Sequence, residues 1–69
     1  ITLQLPFATR VRLEIFNVLG QKVSTLIDAD LEAGEHHFRW DARDQASGLY
    51  FYRLNTREFT QTRAMVLLK

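Results

Sequence analysis

Gly48-Leu49-Tyr50-Phe51-Tyr52-Arg53-Leu54 is the stretch on which the reading of this chain turns. Large aromatic side chains suit a pleated, half-buried surface, and a period of two puts Tyr50, Tyr52 and Leu54 on one face and Leu49, Phe51 and Arg53 on the other. The stretch reads as a β-strand. Five further short apolar runs, separated by turn residues, fill nearly all of the 69-residue chain. Regular short strands with turn signals between them predict an all-β domain, a sandwich or a small barrel.

Upstream, Ile1, Leu3 and Leu5 alternate with Thr2 and Gln4, and Pro6 ends the ladder because it has no N–H to donate. Val11, Leu13 and Ile15 alternate with Arg10, Arg12 and Glu14, which predicts one dry and one wet face, with Phe16 on the wet side. Asn17-Val18-Leu19-Gly20 reads as a hairpin turn of type I, with Gly20 taking the left-handed position of a G1 bulge. A third strand is expected over Gln21 to Ile27. Val23, Leu26, Ile27 and Leu31 sit at spacings a helix would also accept, so a helical reading of Gln21 to Glu32 competes with it.

The acidic stretch Asp28 to Glu35, closed by Ala33-Gly34, reads as a connection, and His36 to Trp40 as a fourth strand with Phe38 and Trp40 on one face. Asp41 to Gly48 is turn chemistry, since Asp and Ser side chains bond the local backbone and Gly frees it. Asn55 to Glu58 leads into a last strand from Phe59 to Lys69. There Gln61 and Arg63 would share a face with Phe59, Met65 and Leu67, so a bulge near Arg63 or a change of sheet is expected. The core is expected to close over Trp40, with Val11, Leu13, Ile15, Phe38, Tyr50, Tyr52 and Leu54 around it.

Hydrophobic residues make up 46% of the chain and charged residues 25%, the composition of a globular domain and not of a disordered tail. A domain this short buries only about 60% of the surface of its unfolded chain, so it is a marginal folder. Nine basic against eight acidic residues leave a net charge of +1 with the basic residues scattered, which argues against nucleic acid as a partner. With no cysteine, neither a disulfide nor a Cys-based zinc site supports the core. No apolar run approaches the ~18 residues of a membrane span, and no signal peptide is visible. Ile1-Thr2-Leu3-Gln4-Leu5 starts abruptly in strand-like alternation, as if cut from something larger, so any export signal is expected upstream.

Candidate chemical sites are few. Adjacent residues in a strand point to opposite faces, so His36 and His37 do not converge on one ion. Asp41, Asp44 and Ser47 offer oxygens, but without EF-hand spacing and with only two carboxylates; self-capped turn is the simpler reading. Ser47 lacks a nucleophile-elbow context and neither His is placed beside an activated hydroxyl, so no catalytic residue, cofactor or metal is assigned. Phe38, Trp40, Tyr50, Phe51 and Tyr52 could form a stacking platform for sugars, yet so small a chain needs its large side chains inside. Phe51, on the face opposite Tyr50, is the best candidate for an exposed sticky residue.

Leu5-Pro6, Val11 to Val23, Ala33-Gly34-Glu35-His36, Trp40-Asp41, Ala46 to Leu54 and Met65-Val66-Leu67-Leu68-Lys69, in that order and spacing, resemble the C-terminal sorting domain of type IX secretion cargo. That family is similar in turn to the immunoglobulin-like domain of flagellar hook-capping proteins. The resemblance covers the whole chain and implies a small immunoglobulin-like antiparallel β-sandwich of about six to seven strands, residues 1 to 69. It implies a single domain at the C-terminus of a larger secreted or surface protein, exported through the periplasm and recognised by the outer-membrane secretion machinery. Carried over by position, Met65, Val66, Leu67, Leu68 and Lys69 are the sorting-recognition segment, and Gly20, Gly34 and Gly48 match the family's turn glycines. Arg57 stands where a Gly is usual, Ala64 stands where a Lys is common, and the Asn-Pro lead-in is missing. A sorting module has the upstream domains of its parent protein as partners. A structural module would instead pack on neighbouring domains or on copies of itself, the latter by strand addition at an open edge, and a carbohydrate-binding module would present its aromatics in an exposed row.

Overall fold

In the computed structural model, which describes residues 1–69, six strands form two antiparallel sheets with no helix. They are β1 (Thr2–Leu5), β2 (Thr9–Phe16), β3 (Lys22–Leu31), β4 (Gly34–His37), β5 (Gly48–Asn55) and β6 (Thr60–Leu67). The larger sheet runs β3-β2-β5-β6, and β1 and β4 form a two-stranded second sheet. Leu3 and Leu5 of β1 pack on Val11 and Leu13 of β2 and Leu54 of β5, and these residues make the core. The fold is an all-β antiparallel sandwich.

The hairpin between β2 and β3 forms as its residues dictate. Gly20 N–H donates to the Asn17 carbonyl (3.0 Å), and Asn17 N–H donates to the Gln21 carbonyl (3.0 Å). The Asn17 side chain adds a local clamp, its Oδ1 accepting from the backbone N–H of Leu19 and of Gln21 at 3.0 Å each. Gly20 has φ +80°, the left-handed region where a Cβ is strained.

β3 is longer than the sequence suggests, and Asp28 to Leu31 belong to it, not to a connection. Its pairing with β2 slips twice: Leu13 faces Ile27 while Glu14 faces Thr25, and Ile15 faces Ser24 while Phe16 faces Lys22. Leu26 and Val23 are the extra residues of two bulges. Each bulge resets which residues point inward, so apolar side chains three and four apart, Val23, Leu26, Ile27 and Leu31, can serve one strand. The helix-like spacing is the trace of these bulges.

Two further expectations are corrected. β6 pairs with β5 in unbroken register from Gly48↔Leu67 to Asn55↔Thr60, with no bulge near Arg63 and no change of sheet. Gln61 and Arg63 do face inward with Met65 and Leu67, but the two-stranded sheet is too narrow to cover them. They line an open groove of about 340 Å³ beside Thr2, Leu3 and Gln4. The fourth strand is Gly34–His37, paired in register with β1 from Leu5↔Gly34 to Thr2↔His37. Phe38 only extends this pairing through backbone bonds with Ile1 at 2.7 and 2.8 Å, and Trp40 lies outside both sheets.

The sandwich therefore does not close over Trp40. Val11, Leu13 and Ile15 are wholly buried and Tyr50 and Leu54 nearly so, whereas Trp40, Phe38 and Tyr52 are half-buried. Trp40 packs at one end, its ring edge-on to Tyr50 with centroids 5.0 Å apart. Tyr50 in turn donates its hydroxyl to the Ala46 carbonyl (2.7 Å), pinning the chain just before β5 as a tyrosine corner does in immunoglobulin-like sandwiches.

The wet face of β2 is also drier than alternation suggests. Glu14 is buried because its strand is central in the sheet, and it accepts from Arg12 Nε (3.1 Å) and Asn55 Nδ2 (3.3 Å), with Lys22 Nζ at 3.5 Å. Buried Thr9 donates to Glu58 Oε2 (2.9 Å), which ties the start of β2 to the turn before β6.

Only nine of the 69 residues are buried, so stability rests on few side chains. Leu13→Ala should cost about 3 kcal/mol, and Gly20→Ala about 1 to 2 kcal/mol through backbone strain alone. Val66→Ala, on an exposed side chain, should stay within about 0.5 kcal/mol. Urea denaturation followed by circular dichroism checks the order, and equal midpoints for the Leu13 and Val66 variants would contradict it.

Candidate recognition site

β6 is an edge strand. One side is laddered to β5 and the other carries unpaired backbone N–H and C=O groups. The strand reaches Leu67, so Met65, Val66 and Leu67 lie in the ladder and Leu68 and Lys69 follow it. Alternation sends Met65 and Leu67 inward, where both are half-buried, and leaves Val66 and Leu68 66% and 84% exposed.

The segment after the strand is tied down. Lys69 N–H donates to Ser47 Oγ (3.1 Å), and Lys69 Nζ donates to the Arg43 carbonyl (2.6 Å). Ser47 thus serves as an anchor for the last residue, and the loop before β5 and the end of β6 hold each other. Gly48, at the start of β5, pairs with Leu67 and has φ +152°. Gly34 opens β4 at φ +123° and Gly20 sits in the hairpin, so all three glycines mark places where the chain reverses or enters a strand.

On the outer face of the larger sheet, Phe51 lies between Phe16 and Ala64 in register. That flanking makes it half-buried, and Arg53 places its guanidinium 4.8 Å from the Phe16 ring centroid. The exposed apolar pair is instead Leu49 and Val66, cross-strand partners 42% and 66% exposed. The sequence carried a signal for it, since Leu49 and Val66 are both apolar and both oppose the core-facing parity of their strands.

The histidines point apart. His36 Nε2 is 2.7 Å from the Glu32 carbonyl, while His37 Nδ1 is 3.0 Å from Thr2 Oγ1 and its Nε2 2.6 Å from Glu35 Oε1. Thr2, His37 and Glu35 have the order of a hydroxyl, imidazole and carboxylate relay, an arrangement that no sequence spacing announces. It lies on an open face, where no cleft joins the hydroxyl to the imidazole, and Gln4 Nε2 also donates to Glu35 (2.8 Å). The contacts work as a cross-strand clasp between β1 and β4. No group of three or more His, Cys, Asp or Glu side chains converges as a metal site would require.

Asp41 is engaged by its neighbour Arg43, whose Nη2 lies 2.8 Å and whose Nε lies 3.0 Å from the carboxylate. These bonds, then the Arg43 backbone N–H, hold its carboxyl below the usual aspartate value against the opposing effect of desolvation, with a lesser contribution from the charge of Arg39. A lowered carboxyl stabilises the clasp fully above the ordinary aspartate value, and the effect fades as pH falls through the lowered one. Trp40, Ala42 and Leu67 line a cleft of about 600 Å³ with Arg39, Asp41, Arg43 and Lys69. Sequence reading placed Arg39 and Arg43 in no site, because only the fold brings residues 39–43 against the end of β6.

Two measurements check this chemistry. In a carboxyl-resolved NMR titration Asp41 should titrate below ordinary aspartate, and Arg43→Gln should return it upward; no movement on substitution would mean that the clasp does not form in solution. EDTA should leave the melting temperature unchanged, and a drop of several degrees reversed by calcium or zinc would reveal a site that these ligand sets do not predict.

No curated protein and no solved structure matches the chain. A family model described as the secretion system C-terminal sorting domain matches residues 1–68. Domains of that kind are attached to an upstream parent protein and serve the secretion machinery, and the family is not known as catalytic. With a match spanning nearly the whole all-β sandwich, the chain belongs to the secretion system C-terminal sorting domain family, and its function is that of a type IX sorting domain, marking its protein for export to the cell surface or beyond.

Proposed function

We propose that the folded sandwich presents Met65, Val66, Leu67, Leu68 and Lys69 as the element read by the outer-membrane machinery, on behalf of a parent protein whose other domains lie upstream, and that the chain itself performs no chemistry. The observation that carries this reading is the placing of β6 at an open sheet edge with Val66 and Leu68 exposed beside Leu49. A strand so placed can be read in two ways, through its free backbone groups by strand addition and through alternating side chains by pockets. Its far end is held by Ser47 and Arg43, so the segment is offered in one conformation instead of as a loose tail. Pre-organisation of this kind lowers the ordering cost of binding.

A non-catalytic role is supported by the engagement of the titratable side chains. His37, Glu35, Asp41 and Glu14 are each taken up in cross-strand or loop clasps, and the one hydroxyl–imidazole contact stands on an open face without oxyanion donors around it.

The test is a fusion of residues 1–69 behind a signal peptide and a fluorescent reporter, in a host with type IX secretion, with and without residues 65–69. The intact fusion should reach the medium or the surface and the truncated one should stay in the periplasm. Retention of a folded intact fusion would overturn the sorting reading, and secretion of the truncated one would move recognition away from residues 65–69.

A further inference from the structure

The cleft at the end of β6 has a divided lining. Trp40, Ala42 and Leu67 give it an apolar floor, and Arg39, Arg43 and Lys69 give it a cationic rim. Its single acidic side chain, Asp41, is already neutralised by Arg43 at 2.8 Å. Arg39 takes part in none of the five ion pairs and none of the side-chain hydrogen bonds of the chain, so its guanidinium is free to bind. Elsewhere the arginines of β2 are committed: Arg10 to Asp28 and Arg12 to Glu14.

We propose that this cleft is a docking pocket for an extended acidic peptide segment that carries one apolar anchor side chain, and, resting on the sorting reading above, that the segment belongs to the export machinery. Charge complementarity selects the occupant: an apolar floor alone would take any hydrophobic side chain, whereas three cations against the one carboxylate of Asp41 leave an excess of positive charge around it, with the Arg39 guanidinium unpaired, and favour a carboxylate beside the anchor. The volume, about 600 Å³, holds one large side chain with its flanking backbone. The Trp40 ring is packed edge-on against Tyr50 with centroids 5.0 Å apart, which favours its place as a wall of the cleft. The rim is built jointly by the loop and the chain end, since Lys69 Nζ holds the Arg43 carbonyl and Lys69 N–H holds Ser47. Leu67 and Lys69 thus complete a pocket whose other lining comes from residues 39–43. That links it physically to the segment assigned to recognition.

The chain contains one tryptophan, and it lines this cleft, so its fluorescence reports occupancy directly. The probe is the capped peptide acetyl-Asp-Glu-Leu-Glu-Asp-amide, compared with its Asn/Gln analogue, titrated into the 69-residue chain at low salt. The acidic peptide should change Trp40 emission saturably, and the neutral analogue should bind roughly tenfold more weakly. Arg39→Gln, which removes no hydrogen bond or ion pair of the fold, should keep the melting temperature and weaken the acidic peptide roughly three- to fivefold. Salt at about 0.5 M should weaken it in the wild type. No saturable change with the acidic peptide overturns the pocket; equal binding of the neutral analogue, or no effect of Arg39→Gln, overturns the charge-based choice of partner. In the reporter fusion, Arg39→Gln should slow export. Unimpaired export of that variant, alongside loss of export on removing residues 65–69, would overturn the link to the machinery while leaving the sorting reading intact, and failure of the unsubstituted fusion to leave the periplasm would overturn both.

Discussion

Everything in this domain depends on covering the inner face of β2. Val11, Leu13 and Ile15 are wholly buried, yet the sheet whose Leu3 and Leu5 pack on Val11 and Leu13 has only two strands of four residues each. So narrow a cover leaves the inward side of β6 open along Gln61 and Arg63. A chain of this size has little length for widening the cover, because each added strand takes residues from the others and needs an apolar face of its own. The rest follows from that shortage. β3 must bulge to keep aliphatic side chains on the covered face, the inward side of β6 is left to polar Gln61 and Arg63, and Trp40 packs at an end of the sandwich instead of in its middle.

The strands were legible in the sequence wherever a strand has one dry and one wet face. β2 and β5 satisfy that condition, and their alternation located both strands and the inward residues Leu13 and Leu54. The hairpin was legible for another reason, since Asn17 and Gly20 have few other uses at that spacing. Misreadings fall where alternation stops carrying information. β3 alternates imperfectly because two bulges shift its parity, and its acidic end looked like a loop because Asp28 and Asp30 lie opposite Arg12 and Arg10 on a solvated face. β6 looked broken because an uncovered strand has no dry face to write into its sequence. The extent of β4 was misplaced because the large side chains of Phe38 and Trp40 suggested a strand that backbone pairing does not support.

The site was less legible than the fold. Residues 65–69 could be singled out by family resemblance, and the alternation of Met65 and Leu67 with Val66 and Leu68 said which would face outward. Nothing in the linear chain brings Ser47 or Arg43 to Lys69, or Arg39 to Leu67, because those contacts join residues more than twenty positions apart. Glu14 makes the same point from the opposite direction. Its place in the alternation says solvent, but its place in the middle of a four-stranded sheet says burial, and only the topology decides between them.

The same economy that limits the core shapes the surface. A four-stranded sheet with a two-stranded cover has open edges on both sides, and open edges invite unwanted pairing unless something discourages it. On β6 only Arg63 supplies a charge within the strand, and the run Ala64 to Leu67 is apolar. In a free-standing domain that composition would be a liability. On the reading proposed above, a partner bound at β6 would cover the exposed edge together with the neighbouring pair of Leu49 and Val66. The clasp of Lys69 on residues 43 and 47 fixes the end of the strand beside Trp40. Fold, edge and clasp therefore order one another in turn: the core orders β5, β5 orders β6, and the loop before β5 holds the end of β6 in place.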